Sequence, residues 1–153
     1  MRTVTFSIPS DYAHVALVTR CVIALAGHVP GPKSGVFETA VGEALNNVIE
    51  HSYGVDANEE IVVELAFDAD SLKLVVEDAG QGMDPGLLED APQEFPPPPD
   101  RHLLPEGGFG LTIIKKACDE VYYHRDSGLN QLTMICRREA EEDTAKPAAQ
   151  SGA

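Results

Sequence analysis

Residues 36–54, VFETAVGEALNNVIEHSYG, carry the polar residues Glu43, Asn47 and His51 at steps of four within an otherwise apolar stretch. An α-helix turns by about 100° per residue, so these three side chains share one helical face. The apolar residues around them leave little of the helix free to face water. A neutral polar group buried without a partner costs roughly 2–7 kcal/mol. The stretch therefore predicts a core helix whose polar face meets either partners within the fold or a ligand.

The chain on either side of this helix gives a regular succession of strand and helix signals. The predicted elements are a strand at 3–8, helices at 11–27 and 35–52, strands at 60–67 and 72–78, a short helix near 85–90, an apolar helix after Gly110, and strands at 120–125 and 130–138. Ser10 or Asp11 can cap the first helix, and Ser34 can start the second. This order predicts an α+β fold, a two-layer α/β sandwich with helices on one face of a mixed, mainly antiparallel sheet.

A long segment at 84–107 interrupts this pattern. It is rich in proline and acid and contains four consecutive prolines at 96–99, which favour an extended polyproline II conformation and exclude helix. A loop of this length inside a compact domain is usually functional or disordered. We interpret it as a lid on one domain of residues 1–138, followed by a disordered polar tail at 139–153.

Composition excludes several classes of function. The formal charge of −14 argues against a surface that binds nucleic acid directly, because phosphate backbones need clustered Lys and Arg. No apolar run approaches the roughly 18 residues of a membrane span, and the first residues do not read as a signal peptide. The three cysteines (Cys21, Cys118, Cys136) are odd in number and lie among apolar residues, which indicates reduced thiols in a cytoplasmic protein.

A second motif, EDAGQGM at residues 77–83, follows a predicted strand. Asp78 ends that strand, where its side chain can point into a crevice. Gly80 and Gly82 let the backbone pass close to a flat ligand and adopt angles closed to other residues. The residues alone leave a second interpretation open, since Asp and Gly are also common in ordinary turns between strands.

The third motif, EGGFGLTIIKK at residues 106–116, is a glycine-rich turn that leads into a helix. Free backbone N–H groups at a helix N-terminus attract phosphate. By itself this signal is weak, since the turn lacks the Gly-Lys-Ser/Thr of a P-loop and does not follow the first strand as a Rossmann turn would.

Together the three motifs are E-x-x-x-N on a helix, D-x-G-x-G-M after a strand, and G-x-G-L opening a helix beyond a long loop. This resembles the N, G1 and G2 boxes of the Bergerat-fold, or histidine-kinase-like, ATPases, the superfamily of gyrase, certain chaperones and sensor histidine kinases. Within it, EALNNVIEHSYG, DAGQGMDP and GGFGLTIIKKACDEV are most similar to the anti-sigma factor serine/threonine kinases of bacterial stress-response and sporulation switches. The resemblance covers about residues 3–137.

The resemblance implies ATP and Mg²⁺ as cofactors and a role for each motif. Asn47 would coordinate Mg²⁺ that bridges the phosphates, and Glu43 would be the general base. Asp78 would accept a hydrogen bond from the adenine amino group. The other implied nucleotide-binding residues are Gly80, Gly82 and Met83 around the purine, Gly108 and Gly110 at the phosphates, and Thr133 near the adenine.

Some polar residues keep two interpretations. His51 is expected to be a packed, hydrogen-bonded core histidine, with contact to nucleotide as the alternative. Thr133 could equally be an ordinary strand residue. Arg101 and His102 could reach the γ-phosphate from the lid, although solvated loop residues are the usual case. Acidic residues near a triphosphate would repel it, so those of the lid are expected to face a protein partner or solvent: Asp90, Glu94 and Asp100.

The resemblance implies a cytoplasmic, homodimeric serine/threonine kinase that phosphorylates a STAS-type antagonist and sequesters a sigma factor. A non-catalytic ATP-binding module that sequesters a protein partner is the alternative, which the unusual lid favours. A third interpretation, half of a sensor histidine kinase, needs a phosphoacceptor histidine, and His14 lacks the acidic neighbour usual at such a site.

Overall fold

A computed structural model describes residues 1–26, 34–94 and 109–137 of the chain. In chain order the elements are β1 (Arg2–Pro9), α1 (Tyr12–Ala26), α2 (Ser34–Asn47), a π-helical turn (Val48–Tyr53), β2 (Glu60–Phe67), β3 (Ser71–Asp78), α3 (Pro85–Asp90), α4 (Gly110–Ala117), β4 (Glu120–Asp126) and β5 (Leu129–Arg137). This order agrees with the one predicted from the sequence, including the short helix near 85–90. Most of the proposed lid and the tail at 139–153 lie outside the described residues.

The five strands form one sheet in the order β1-β2-β3-β5-β4, and its four pairings are antiparallel. The expectation of a mixed sheet is therefore wrong for the described strands. Two helices separate β1 from β2, one leading away from the end of β1 and one leading back to it. Strand β2 therefore starts beside the end of β1 and runs antiparallel to it. Strand β4 runs in the same direction as β3, but β5 lies between them, so these two strands do not pair.

Helices cover one face of this sheet, as predicted. Strand β3 alternates strictly, with Leu72, Leu74 and Val76 buried and the residues between them half-buried. On the helical side, α2 contacts both α1 and α4 and buries Phe37 and Leu45 completely. The alternation and the single covered face confirm the two-layer α+β architecture.

The helix predicted at 35–52 changes its hydrogen-bonding pattern near its end. It is α-helical to Asn47 and continues as the π-helical turn Val48–Tyr53. A π-helical turn is wider than an α-helical one, so residues beyond Asn47 leave the angular register that Glu43 and Asn47 share. Single π-helical turns within helices occur frequently at functional sites.

Helix α1 is capped by Asp11, one of the two predicted caps. Its Oδ1 accepts a hydrogen bond from the His14 backbone N–H at 2.9 Å, and its Oδ2 lies 2.7 Å from His14 Nδ1. Ser10 has a different role, because its hydroxyl accepts the Glu59 backbone N–H at 2.9 Å and joins the end of β1 to the start of β2. The bonds from the His14 backbone and ring hold the pKa of Asp11 below its usual value.

We expect Asp11→Ala to lower the melting temperature at pH 7, because the first turn of α1 loses its acceptor. A carboxylate whose pKa is lowered in the native state stabilises that state above its unfolded value of 3.8, and the stabilisation disappears as the pH falls through the lowered pKa. The difference from wild type should therefore shrink between pH 7 and pH 3, as measured by circular dichroism. Asp11→Asn keeps an uncharged acceptor and should show a smaller loss that varies little with pH. A constant difference for Asp11→Ala would contradict the cap.

None of the helices in the described ranges is long and apolar enough to span a membrane.

Candidate functional site

A cleft of about 1010 Å³ opens between α2, the π-helical turn, the loop after β3, α3 and α4. Its walls bring together residues from all three sequence motifs. Of the residues predicted to bind nucleotide or metal, the lining includes Glu43, Asn47, Asp78, Gly82, Met83 and Gly110.

Glu43 and Asn47 lie side by side on the last turns of α2, both half-buried, and both face the first residue of α4. A Cβ atom on Gly110 would lie 2.7 Å from Glu43 Oε2 and 3.7 Å from Asn47 Oδ1. The glycine therefore leaves room for the two side chains beside the N-terminus of α4. Neither side chain has a hydrogen-bond partner among the described protein residues, so their polar groups are available to a ligand.

The π-helical turn rests on the loop after β3. Ser52 accepts the Gln81 backbone N–H at 2.8 Å with its carbonyl and donates its hydroxyl to the Gln81 carbonyl at 2.8 Å. Tyr53 accepts the Ala79 N–H at 2.7 Å and donates to the Glu60 carbonyl. Burial raises the pKa of the Tyr53 hydroxyl. These contacts fix the loop against the end of the helix that carries Glu43.

The loop after β3 needs glycine at its tightest point. A Cβ atom on Gly80 would lie 2.5 Å from the Ser52 carbonyl oxygen and 2.9 Å from Tyr53 Cδ1, distances that real Cβ atoms do not show. At Gly82 a Cβ atom would instead meet the movable end of the Arg125 side chain, at 2.7 Å from Cδ. The interpretation of 77–83 as an ordinary turn therefore does not account for Gly80, which is required by close approach.

Asp78 is buried, with 6% of its surface exposed, yet its side chain lines the cleft. Its Oδ1 accepts hydrogen bonds from the Gly80 N–H at 2.9 Å and from Asn130 Nδ2 at 2.8 Å. Asn130 lies opposite Asp78 in the pairing of β3 with β5 and is 2% exposed. The sequence analysis did not identify Asn130, and the signal that could have found it is a polar residue at an inward-facing position of a strand.

Met83 also lines the cleft, at the far end of the glycine loop. Its backbone N–H donates to the Tyr123 hydroxyl at 2.8 Å, and that hydroxyl donates to Asn130 Oδ1 at 2.9 Å. Strand β4 therefore supports both ends of the loop, since Arg125 Nη1 donates to the Gly80 carbonyl at 3.0 Å.

Among the described residues, Gly80 and Thr133 are predicted site residues that do not line the cleft. Thr133 pairs with Val75 and Tyr122, on the face of the sheet opposite the helices, so it does not line the cleft. On β5 the cleft-lining positions belong to Asn130 and Leu132. Gly108, predicted at the phosphates, lies outside the described residues together with Arg101 and His102.

His51 is not the packed core residue that was expected. Its side chain is 73% exposed and lines the cleft, with Nε2 3.9 Å from Glu50 Oε2. The change from α- to π-helical geometry after Asn47 accounts for this position.

Helix α3 and the residues after it are attached to α4 by two lysines. Lys115 Nζ donates to the carbonyls of Glu89 at 3.1 Å and Ala91 at 2.6 Å, where the C-terminal end of α3 carries partial negative charge. Lys116 pairs with Glu94 at 2.6 Å, so that this acidic residue turns away from the cleft, as expected. Asp90 lines the cleft, which corrects the expectation that it faces elsewhere.

The donor atoms at the α2 end of the cleft suit a small, hard cation. Mg²⁺ prefers oxygen ligands and retains several waters or phosphate oxygens, so it needs few protein ligands. The Asn47 amide oxygen and the Glu43 carboxylate are adjacent, and neither has a hydrogen-bond partner in the part of the chain that the structure describes. Within the described ranges no group of three or more His, Cys, Asp or Glu residues could hold a metal. A cation here would thus depend on oxygens supplied by a bound phosphate, and the residues fit that arrangement.

Residues 8–136 match the family described as the histidine kinase-like ATPase domain, and the chain belongs to this family. The resemblance predicted from the three motifs is thus confirmed at the level of the superfamily.

Curated relatives are more specific. The chain is 35% identical over 109 residues to the serine-protein kinase RsbW of Bacillus licheniformis, across 68% of this chain and 66% of the relative. It is 26% identical over 149 residues to RsbW of Bacillus cereus strain Q1, across 94% and 91% of the two chains. The chain therefore spans slightly less than two thirds of the Bacillus licheniformis relative that it matches.

Solved structures agree on the fold. A crystal structure of RsbU and RsbW domains from Mycobacterium tuberculosis superposes with a TM-score of 0.60 at 16% identity, over 92% of this chain and 34% of that chain. A mycobacterial sensor histidine kinase, MprB, superposes with a TM-score of 0.50 at 19% identity, over 86% and 99%.

Proposed function

We propose that the protein is an ATP-dependent serine/threonine protein kinase that acts as an anti-sigma factor. It would phosphorylate a STAS-type antagonist and sequester a sigma factor. The observation that carries the proposal is the pair Glu43 and Asn47, which are adjacent, half-buried and without hydrogen-bond partners among the described residues, beside the N-terminus of α4 in a cleft that ends at Asp78. The RsbW relatives, named as serine-protein kinases, support the same reaction class.

ATP would lie along the cleft with its adenine at the β3 end. Asp78 keeps one carboxylate oxygen for the adenine amino group, while Gly82 and Met83 border the purine. The triphosphate would extend toward α4, where Gly110 and the free N–H groups of the first turn favour anions. Asn47 would hold Mg²⁺, which when bound neutralises phosphate charge and orients the triphosphate.

The partner's serine hydroxyl would attack the γ-phosphorus. The new bond joins the serine oxygen to that phosphorus, the bond from the γ-phosphorus to its bridging oxygen breaks, and ADP leaves. Glu43 would accept the hydroxyl proton, a function that its carboxylate permits because it has no partner among residues 1–26, 34–94 and 109–137. Phosphoryl transfer depends mainly on positioning and charge neutralisation, so a single carboxylate suffices for the proton.

A second candidate is an ATP-binding module that sequesters a protein without transferring phosphate. The observation that favours it is the charge of the cleft, whose lining includes Glu50, Asp84 and Asp90 in addition to the proposed site residues. Three carboxylates near a triphosphate oppose the approach of its γ-phosphate, which would leave binding possible and transfer slow.

The proposal places the protein in the cytoplasm, where ATP and the transcription machinery are found. It also includes a homodimer. Strand β1 is an edge strand of the sheet. The neighbouring helix α1 exposes Tyr12 at 46% and Leu17 at 57%, which gives a second copy an apolar surface to cover. Light scattering that gives the mass of a monomer at all concentrations would contradict the dimer.

Two measurements test the proposed function. Calorimetry should detect ADP and ATP with Mg²⁺ at micromolar strength or weaker, and no heat with either would remove the nucleotide site. Incubation with labelled ATP and STAS proteins from the same genome should then label a serine or threonine of one of them. Binding without transfer to any of these proteins would favour the sequestering module.

A further inference from the structure

The buried Asn130 is the centre of a hydrogen-bond chain that crosses the sheet. Its Nδ2 donates to Asp78 Oδ1 at 2.8 Å, and also lies 3.2 Å from the Gly80 carbonyl oxygen. Its Oδ1 accepts from Tyr123 and from Arg125 Nη1. Only 2% of the Asn130 surface is exposed, so its amide is held by these protein partners at the wall of the cleft.

The donors and acceptors of this hydrogen-bond chain can be arranged in only one direction. The Tyr123 hydroxyl accepts the Met83 N–H at 2.8 Å, so its single proton is left for Asn130 Oδ1 at 2.9 Å. The Arg125 guanidinium contains donors only, and it approaches the same oxygen. Two donors therefore identify Oδ1 as the acceptor end of the amide, and Nδ2 must point at Asp78.

This direction determines what Asp78 offers to a ligand. Its Oδ1 receives two donors, from Gly80 N–H and Asn130 Nδ2, while Oδ2 has no protein donor among the described residues. If the Asn130 amide were reversed, its oxygen would face the carboxylate, and the two oxygens would repel each other or share a proton. A shared proton would let the pair donate as well as accept.

We propose that Tyr123 and Asn130 determine base specificity by fixing Asp78 as a hydrogen-bond acceptor toward the cleft. An acceptor matches a 6-aminopurine, whose exocyclic group donates, and is mismatched with a 6-oxopurine, which presents a carbonyl at the same position. Tyr123 and Asn130 are positioning residues, because they act through Asp78 and their own polar atoms form hydrogen bonds with other protein groups. This inference rests on the proposed function and extends it to substrate selection.

Tyr123→Phe tests the inference, with Tyr122→Phe as its matched control. The neighbouring tyrosine is 53% exposed on the opposite face of the sheet, and its hydroxyl donates to Glu120. Calorimetry with ADP and with IDP, which differ at position 6 of the purine and in the proton that IDP carries on N1, gives the ratio of the two affinities. Tyr123→Phe removes one of the two donors to Asn130 Oδ1 and leaves Arg125 as the other, so it should reduce the preference for ADP by less than Asn130→Asp, which removes the Nδ2 donor itself and should reduce that preference by about tenfold. Tyr122→Phe should leave the ratio unchanged.

Amide hydrogen exchange of the nucleotide-free proteins shows whether the hydrogen bonds made by the Tyr123 hydroxyl have been lost. The Met83 amide should exchange faster in Tyr123→Phe and at the wild-type rate in Tyr122→Phe. Faster exchange with an unchanged ratio would overturn the inference and leave the nucleotide site intact. A wild type that binds neither nucleotide would overturn both proposals. Asn130→Asp, of nearly the same size, places a carboxylate opposite Asp78 and provides a second variant, which should also lower the ratio.

Discussion

Glu43→Gln should lower the rate of phosphoryl transfer to a partner serine by about 10²–10⁴-fold, the usual contribution of a positioned base. Glutamine keeps the size and polarity of the side chain beside Gly110 but cannot take up the hydroxyl proton. Nucleotide affinity should change little, since no direct contact of this carboxylate with nucleotide is proposed. Single-turnover transfer of labelled phosphate and calorimetry with ADP measure the two quantities separately.

The matched comparison is Asn47→Ala, one turn further along α2 and facing the same glycine. The proposed role of Asn47 applies before and during the reaction, so this variant should lose both nucleotide affinity and transfer. Equal transfer rates for wild type and Glu43→Gln would show that Glu43 is not the base. Equal losses of affinity in the two variants would show that Glu43 belongs to the ground-state binding site.

Much of the fold was predictable because local patterns agree with the tertiary structure. The strands predicted at 60–67 and 72–78 are β2 and β3 to within one residue. The Asp68 side chain closes the turn between them by accepting the backbone N–H groups of Asp70 and Ser71, at 3.0 and 2.9 Å. Alternating burial and an Asp-rich turn are both local features, so the sequence contains them directly.

The parts that were not predicted depend on pairings between distant segments. Asn130 is 52 residues from Asp78 along the chain, and only the register of β3 with β5 brings them together. The same register places Thr133 on the other face, because it lies three positions after Asn130 and successive strand residues alternate between the two faces. A resemblance that rests on the presence of a threonine in the last strand does not determine which face of the sheet that threonine occupies.

The site was predictable to the extent that one helix carries it. Glu43 and Asn47 share a face because four residues make about one α-helical turn, and this shared face is predicted from spacing alone, whereas their roles are what the resemblance implies. His51 continues the same spacing, but the π-helical turn after Asn47 moves it to the surface. The Ser52 hydroxyl donates to the loop after β3 and the Tyr53 hydroxyl accepts from it, which holds this turn in place, and those partners are not visible in the local sequence.

We expect Gly80→Ala to reduce both stability and nucleotide affinity. A Cβ atom would lie 2.5 Å from the Ser52 carbonyl oxygen and 2.7 Å from its carbon, and backbone cannot move aside as the end of a side chain can. Overpacking of this kind costs about 1–3 kcal/mol. The displaced loop also carries the N–H that bonds to Asp78 Oδ1, so we expect ADP to bind about tenfold more weakly or worse.

Gly82→Ala and Gly42→Ala are graded controls for this variant. At Gly82 the new Cβ would meet the Arg125 side chain rather than backbone, and moving that side chain would break its hydrogen bonds to the Gly80 carbonyl and to Asn130, so the loss of stability should lie between those at Gly80 and Gly42. At Gly42, on the helix that carries Glu43, a Cβ meets nothing within 4 Å, and the gain in helix propensity should leave stability equal or higher. Thermal unfolding and ADP calorimetry should therefore rank the three variants, with Gly80→Ala lowest in both melting temperature and affinity for ADP.

A Gly80→Ala protein as stable as Gly42→Ala would show that the loop does not press against the π-helical turn in solution. The loop would then be free to move relative to the helix that carries Glu43, and the close approach at Ser52 could not be what positions Asp78 in the cleft.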